Sequence, residues 1–349
     1  MTGRNHGVDG MKIDVALLRD ARYIRKNAKD FEEIGFDGAY TLEGQNDPFI
    51  GAAAAATATS RIELMTSIAV AFARNPMNIA HLGNDLQLLS EGRFILGLGS
   101  QIKPHIEHRF CMPWSKPAAR MRDMVKAIRA IWHCWATGDK LDYRGEFYHH
   151  TIMAPTFTPE VHPVGLPPIY IAGVGPKMTE VAAEVGDGYF LHPFGSTTSF
   201  DEVTMPALQR GLDRAGKSAS DYVVAGQVMT ATGLDNKQIE EALFSVRNQI
   251  GFYGSTPAYR PMIEVHGWGH MQETWRQMTK EGKWFEMAES VTDEMVETLA
   301  VVGTPEEVAK KIVARCEGRI DRISPVIYQT DPEVMRAVYK ALKNEIQEN

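Results

Sequence analysis

Two glycines stand between a short apolar run and a segment with helical spacing, an arrangement that suits anion binding. Residues 169–172 are apolar and partly β-branched, as in a buried strand, and residues 177–185 repeat apolar side chains at helical spacing. The turn between them consists of Gly173, Val174, Gly175, Pro176, Lys177 and Met178. Glycines there let backbone N–H groups approach a ligand, and a helix N-terminus adds positive potential. The turn predicts a phosphate site, with an ordinary tight turn as the alternative.

The established phosphate motifs do not match this turn. A dinucleotide fingerprint requires a third glycine, but position 178 is Met. A P-loop requires Gly-Lys-Ser/Thr, and Gly175-Pro176-Lys177-Met178 does not supply it. A phosphate bound here would therefore be held without either fingerprint.

Four side chains that could transfer protons follow predicted strands. Glu43 is the carboxylate best placed for acid/base chemistry. His105 and His108 lie in a polar loop after the fourth strand, and His192 ends the sixth, so these imidazoles are secondary donors. The two loop histidines stand three residues apart, but no third ligand is evident, so no metal is predicted. Spacing reveals neither a carboxylate pair nor a Ser–His–Asp arrangement.

The elements that must position these residues alternate regularly along the chain. Strands are predicted at residues 12–18, 38–42, 61–71, 93–98, 169–172, 188–192, 222–231 and 322–328. Helices are predicted at residues 23–34, 49–59, 76–89, 116–136, 177–185, 200–215, 236–253, 304–316 and 332–346. Such alternation indicates βαβ units on a parallel sheet, and eight units in 349 residues fit a (β/α)8 TIM barrel, an α/β fold, better than an open sheet.

The predicted barrel fixes the domain organisation and the position of the site. Residues 1–10 are predicted to be a flexible leader, and residues 11–349 a single domain with insertions at about 101–166 and 254–290. Active sites of such barrels lie at the carboxyl ends of the strands. The candidate residues all follow predicted strands, so we expect them at one end.

Composition excludes several classes of protein. A hydrophobic content of 44% and a charged content of 23% are ordinary for a globular domain. The net charge of -7 disfavours nucleic acid or an anionic membrane as the partner. No apolar run reaches the roughly 18 residues of a spanning helix, and the start lacks a signal-peptide core, so a cytoplasmic location is expected. Three widely spaced cysteines exclude a disulfide framework.

Five segments in this order resemble the luciferase-like monooxygenase superfamily, and within it the coenzyme F420-dependent oxidoreductases. They are GFDGAYTLEGQNDPF at 35–49, SRIELMTSIAVAFARNPMNIAH at 60–81, EGRFILGLGS at 91–100, GDKLDYRGEFYH at 138–149 and PPIYIAGVGPKMTEVAAEVGDGYF at 167–190. The resemblance covers nearly the whole chain and implies a bacterial luciferase-like barrel that binds a flavin or a 5-deazaflavin at the strand carboxyl ends.

The resemblance also assigns residues to the cofactor. In the F420 members the third strand carries a bulge with a non-proline cis peptide behind the deazaflavin ring, which falls here at Ser67-Ile68. Glu43 would be an acid/base or a hydrogen-bond partner of the cofactor, and Ser100 joins the same site. The family's phosphate grip matches Gly173, Val174, Gly175, Pro176, Lys177 and Met178.

Three departures argue against a sugar-phosphate substrate. The sugar-phosphate dehydrogenases of the family carry Asp-His where this chain has Glu43-Gly44. Their glutamate after the fourth strand matches Ile102, and their phosphate-binding threonine after the sixth matches His192. The machinery for oxidising glucose 6-phosphate is therefore missing.

The prediction is an F420-dependent oxidoreductase that transfers a hydride between the deazaflavin and a small organic substrate. One alternative is an FMN-dependent monooxygenase that uses reduced flavin and oxygen on the same barrel. A second is a non-catalytic flavin- or F420-binding protein. A homodimer is expected from the habit of the family.

Overall fold

Eight parallel strands close into a barrel in the computed structural model, which describes residues 10–18, 20–328 and 331–348. Each strand pairs with the next, and the last pairs with the first. The strands are β1 (Lys12–Ala16), β2 (Gly38–Thr41), β3 (Glu63–Thr66), β4 (Phe94–Gly99), β5 (Ile169–Gly173), β6 (Gly188–Leu191), β7 (Val223–Thr232) and β8 (Arg322–Ile327). The predicted (β/α)8 TIM barrel is confirmed. Residues 1–9 of the predicted leader lie outside the described residues.

The helices lie between the strands, near the predicted positions. The α-helices of five residues or more in the described chain are α1 (Ala21–Ile34), α2 (Pro48–Ala56), α3 (Pro76–Leu89), α4 (Pro117–Thr137), α5 (Pro176–Val185), α6 (Met205–Ala215), α7 (Asn236–Gly254), α8 (Arg260–Glu264), α9 (Met271–Glu281), α10 (Trp284–Glu289), α11 (Asp293–Leu299), α12 (Pro305–Cys316) and α13 (Pro332–Glu348). Among the described residues, none of these helices has the length and apolar character to cross a membrane.

Local sequence explains where most of these helices begin and end. The side chains of Asp20, Asp47 and Asn75 accept backbone hydrogen bonds at the starts of α1, α2 and α3. Thr304 and Glu307 form a capping box at the start of α12. Proline at the first turn of several helices fits because that turn has no use for the missing N–H.

The third predicted strand, residues 61–71, is too long. A cis peptide bond between Ser67 and Ile68, as the resemblance implies, separates β3 from the short strand Ala69–Val70. The short strand still pairs in parallel with β4. The chain then turns into a 3-10 helix at Ala71–Ala73, so the regular strand cannot continue to residue 71.

The first insertion carries a small hairpin held to α4 by one carboxylate. Residues Tyr143–Arg144 and His149–His150 pair antiparallel on either side of Gly145. Buried Asp123 of α4 accepts hydrogen bonds from the Tyr143 hydroxyl and from the Phe147 and Tyr148 N–H groups. The hairpin is thereby fixed beside the barrel.

The second insertion forms its own apolar core against the end of β7. Helices α7 to α11 bury a cluster that includes Met229, Val246, Trp275 and Met287. The strand Ala300–Gly303, which was not predicted, pairs in parallel with the last four residues of β7. β6 pairs only with the first part of β7, so this strand covers an edge that would otherwise be exposed.

A charged cluster fills the amino end of the barrel. Arg322 and Glu63 are the first residues of β8 and β3, and Asp14 lies in β1. Asp14 accepts two hydrogen bonds from Arg322, at 2.9 Å from Nε and 2.6 Å from Nη2, and both side chains are buried. Lys12 and Arg322 both pair with Glu63. Position 38 must be glycine because a Cβ there would collide with the Asp14–Arg322 pair.

Candidate active site

The predicted site residues meet at the carboxyl rim of the barrel. Glu43 follows β2, Ser100 follows β4 and His192 follows β6, while Ser67-Ile68 interrupts the third strand. The Glu43 N–H donates to the Ile68 carbonyl at 3.1 Å, which joins the second and third strand ends directly. The expected convergence at one rim is present because all eight strands run parallel.

Glu43 is held by an arginine that sequence reasoning missed. Its Oε2 atom lies 2.6 Å from both the Val70 N–H and Arg74 Nη1, and its Oε1 atom lies 3.1 Å from Arg74 Nη2. Arg74 also pairs with Asp47 at 2.6 Å. Burial alone would lower the pKa of Arg74, but the two carboxylates outweigh burial and raise it. No spacing signal connects positions 43 and 74, because their proximity follows from barrel closure.

Both nitrogens of His192 are engaged within the protein. The Phe194 N–H donates to Nδ1 at 3.1 Å, and Nε2 lies 3.3 Å from the Tyr259 hydroxyl. The rings of Tyr253 and Tyr259 each lie 4.6 Å from the imidazole. Burial lowers the pKa of His192 to about 3, so the ring is neutral at physiological pH.

The two tyrosines beside His192 were missing from the predicted site. Both come from the region around the second insertion, which was interpreted as added helical material. Tyr253 is the last but one residue of α7, and Tyr259 precedes α8, 67 residues from His192. Neither tyrosine follows a predicted strand, so the rule that places site residues after strands could not find them.

The remaining polar candidates lie in more open surroundings. His105 and His108 are exposed on a π-helical turn, His105–Arg109. The turn contacts the Glu43 loop through Arg109, whose Nη2 donates to the Gly44 carbonyl at 2.8 Å. The Ser100 hydroxyl donates to the Gln101 carbonyl at 3.1 Å. In the part of the chain that the structure describes, no three His, Cys, Asp or Glu side chains are grouped to hold a metal ion.

The turn after β5 offers an uncapped helix N-terminus. Gly175 precedes α5 in extended backbone, and its carbonyl accepts from the N–H groups of Met178 and Thr179. No side chain in the described chain caps this helix, in contrast to α1, α2 and α3. A Cβ at Gly175 would meet nothing within 4 Å, so the turn is open, and Lys177 beside it is exposed. These features fit a phosphate group.

Comparison with protein families decides the relationship. The family model described as luciferase-like monooxygenase matches residues 4–322. The chain belongs to this family. The match spans the first seven barrel strands and ends at the first residue of β8, and so includes every predicted site residue.

Two relatives match most of the chain. One is an uncharacterised protein from Mycobacterium tuberculosis that is 47% identical over 331 residues, covering 95% of this chain and 97% of that protein. The other is 5,10-methylenetetrahydromethanopterin reductase from Archaeoglobus fulgidus, 29% identical over 313 residues, covering 86% of this chain and 89% of that protein. The similarity to a named reductase thus extends across the barrel.

Solved structures share the fold at low sequence identity. The coenzyme F420 dependent tetrahydromethanopterin reductase from Methanopyrus kandleri superimposes with a TM-score of 0.79 at 19% identity, covering 96% of this chain and 99% of that one. A riboflavin lyase with modified FMN superimposes with a TM-score of 0.72 at 15% identity, covering 97% and 91%. Both deazaflavin-linked and flavin-linked proteins therefore have this architecture.

Proposed function

We propose that the protein is an F420-dependent oxidoreductase that transfers a hydride between the coenzyme and a small organic substrate. The observation that carries the proposal is the similarity to 5,10-methylenetetrahydromethanopterin reductase over 86% of this chain. The structural similarity to an F420-dependent reductase supports it at the level of the fold.

The residues at the rim suit such a coenzyme. The open N-terminus of α5, from Gly173 to Met178, would hold a phosphate through backbone N–H groups other than those of Pro176, which has none, and Met178, which donates to the Gly175 carbonyl; Lys177 would add charge. Ser67 and Ile68, with Ser100 nearby at the end of β4, would line the ring. When bound, F420 supplies a hydride donor or acceptor at carbon 5 of its deazaflavin.

The chain's own side chains would position the reactants. Glu43 fixes the backbone at Val70 and the Arg74 guanidinium, so its proposed role is to hold the third strand end against the cofactor site. His192 presents a neutral imidazole, which orders neighbouring groups by hydrogen bonds without adding charge. The aromatic rings around it exclude water from that side of the rim.

The test is a parallel titration of the purified apoprotein with F420 and FMN, followed by fluorescence. Micromolar or tighter binding of F420, with at least tenfold weaker binding of FMN, is the expected result. Preference for FMN would overturn the proposal in favour of an FMN-dependent monooxygenase. Binding of neither would contradict the phosphate site at α5, and stoichiometric F420 binding without turnover on any substrate would favour a carrier or storage protein.

A further inference from the structure

The hydrogen bonds of His192 specify which of its nitrogens carries the proton. Nδ1 accepts from the Phe194 N–H, so this nitrogen has a free lone pair and no proton. Since burial lowers the pKa of the ring to about 3, the imidazole is neutral and its one proton is on Nε2. The Nε2–H group therefore donates to the Tyr259 oxygen, 3.3 Å away.

This direction leaves the Tyr259 proton available to another partner. The hydroxyl accepts from His192, so its own O–H cannot point at that nitrogen. Among the residues that the structure describes, His192 is the residue to which this hydroxyl is hydrogen-bonded. Burial raises the pKa of Tyr259, so the group stays protonated and is a donor at any ordinary pH. A donor held in this way has an unfilled hydrogen bond.

The tyrosine ring is fixed by aromatic neighbours at the rim. Its centroid lies 4.6 Å from that of His192 and 6.0 Å from those of Phe194 and Tyr253. His192 and Phe194 follow β6, so the hydroxyl lies at the carboxyl end of the barrel with the other site residues. The neighbouring charge on α8 belongs to Arg260, which is exposed and pairs with Glu264 at 2.8 Å. The side chains that pack on the Tyr259 ring are thus aromatic and, with His192 neutral, uncharged.

We propose that the Tyr259 hydroxyl, oriented by neutral His192, binds the oxygen atom of an uncharged carbonyl or alcohol substrate. The inference rests on the proposed F420-dependent function and specifies its substrate class. An aromatic, uncharged wall favours a neutral molecule over a phosphorylated or carboxylated one, because a charged group would lose its hydration there without a counterion.

The two residues have different roles in the reduction of a carbonyl. The carbonyl carbon gains a hydride from the reduced coenzyme, the C=O π electrons move to oxygen, and that oxygen takes the proton of Tyr259. The resulting tyrosinate is held by the Nε2–H of His192 until it regains a proton from water, and the reverse sequence oxidises an alcohol. Tyr259 is the catalytic residue, because it touches the reacting oxygen, and His192 is a positioning residue.

The first experiment compares Tyr259→Phe with Tyr253→Phe. The control tyrosine also packs on His192, and Phe keeps that ring, but its hydroxyl bonds neither ring nitrogen, since Nδ1 accepts from Phe194 and Nε2 pairs with Tyr259. Each purified protein is titrated with F420 and then assayed for reduction of acetone, cyclohexanone and nitrobenzene by reduced F420, and for oxidation of propan-2-ol by F420. We expect Tyr259→Phe to bind F420 normally and to lose kcat/KM for the carbonyl and alcohol probes by on the order of tenfold to hundredfold.

The outcomes separate this inference from the proposed function. Tyr253→Phe should retain more than half of the wild-type kcat/KM. Equal activity of Tyr259→Phe and wild type would overturn the inference. The inference would also be overturned if wild type binds F420 but turns over none of the carbonyl and alcohol probes. It would equally be overturned if wild type reduces nitrobenzene and none of the other probes. A wild-type protein that fails to bind F420 overturns the proposed function itself.

The second experiment tests the positioning role of His192 with two amides. The terminal N–H of Gln reaches the place of Nε2, whereas Asn is shorter and leaves Tyr259 without its donor. On the most active probe we expect His192→Gln to stay within about threefold of wild type and His192→Asn to fall about as far as Tyr259→Phe. Equal losses in both would contradict the role. Nitrogen-15 NMR of wild type should show a protonated Nε2 at pH 7, and a protonated Nδ1 would overturn the proposed hydrogen-bond direction.

Discussion

Polar groups at the two ends of the barrel differ in whether their hydrogen bonds are made within the chain. At the amino end, Asp14, Arg322 and Glu63 satisfy one another, and the buried pair Asp14–Arg322 is 4% exposed on each side chain. At the carboxyl end, α5 begins without a cap from any side chain of the described residues. Within the described chain, the proton of the Tyr259 hydroxyl has no acceptor, because His192 is the donor in the bond between them. The Asp14–Arg322–Glu63 cluster fills its own hydrogen bonds, whereas the start of α5 and the Tyr259 hydroxyl leave theirs open.

This difference indicates that the amino-end cluster contributes to stability, whereas the groups at the carboxyl rim can bind a ligand. A buried carboxylate whose hydrogen bonds are filled by an arginine contributes structure and cannot readily bind anything else. Donors with open capacity at the rim can meet a ligand. Glu43 and Arg74 resemble the amino-end cluster although they lie at the rim, which is why a positioning role suits Glu43.

The largest expected effect comes from breaking the amino-end pair. Arg322→Met leaves Asp14 buried without its partner, and we expect the free energy of unfolding to fall by about 3–5 kcal/mol. Equilibrium urea denaturation measures it. Lys12→Met is the matched control, because Lys12 is 44% exposed and its pair with Glu63 should contribute about 1 kcal/mol or less. Similar decreases in the free energy of unfolding for both variants would contradict the contrast between the buried pair Asp14–Arg322 and the exposed Lys12.

Capping the open N-terminus of α5 should weaken F420 binding without lowering the free energy of unfolding. Gly175→Asp places a capping carboxylate where a phosphate would lie, so we expect F420 affinity to fall by at least tenfold, about 1.4 kcal/mol. The free energy of unfolding should be unchanged or rise by a few tenths of a kcal/mol. Gly175→Ala is the control, since a Cβ there meets nothing within 4 Å. Tight F420 binding by the Asp variant would exclude this terminus as the phosphate site.

Glu43→Gln tests whether a filled ion pair at the rim still serves catalysis. Gln keeps the size of the side chain but loses the charge that Arg74 pairs with. We expect turnover to fall about tenfold while F420 affinity stays within a few-fold, because the end of the third strand shifts against the bound reactants. Asp47→Asn is the control at the other, 45% exposed partner of Arg74. An unchanged rate in Glu43→Gln would remove Glu43 from the mechanism.

The smallest effect concerns the neutral state of His192. Its folded pKa of about 3 lies below the unfolded value of about 6.5, so between these values the unfolded chain binds more protons. The contribution of neutral His192 to the free energy of unfolding is therefore complete above about pH 6.5 and is lost as the pH falls. Urea denaturation at pH 7.5 and about pH 5.8 should show wild type losing about 1 kcal/mol more than His192→Gln. An equal loss in the two proteins would mean that His192 is charged in the folded state.

Sequence reasoning succeeded where structure follows from neighbours in the chain. The barrel strands, the helix that starts near Thr304 and the glycine turn before α5 are local patterns, and all are present. The cis peptide at Ser67-Ile68 came from the family resemblance, and it is present as well. The strand Ala300–Gly303 was missed because its formation depends on the free edge of β7, which a single segment does not reveal.

The order of the eight barrel strands, the rim at which the candidate residues gather and the open turn from Gly173 to Met178 could be predicted from the amino-acid sequence. The partners of those residues follow from the tertiary structure alone. Arg74 lies 31 residues from Glu43, Tyr259 lies 67 from His192, and Arg322 lies 308 from Asp14. Periodicity reports contacts within a few residues, whereas these pairs exist because the closed barrel brings distant strand ends together.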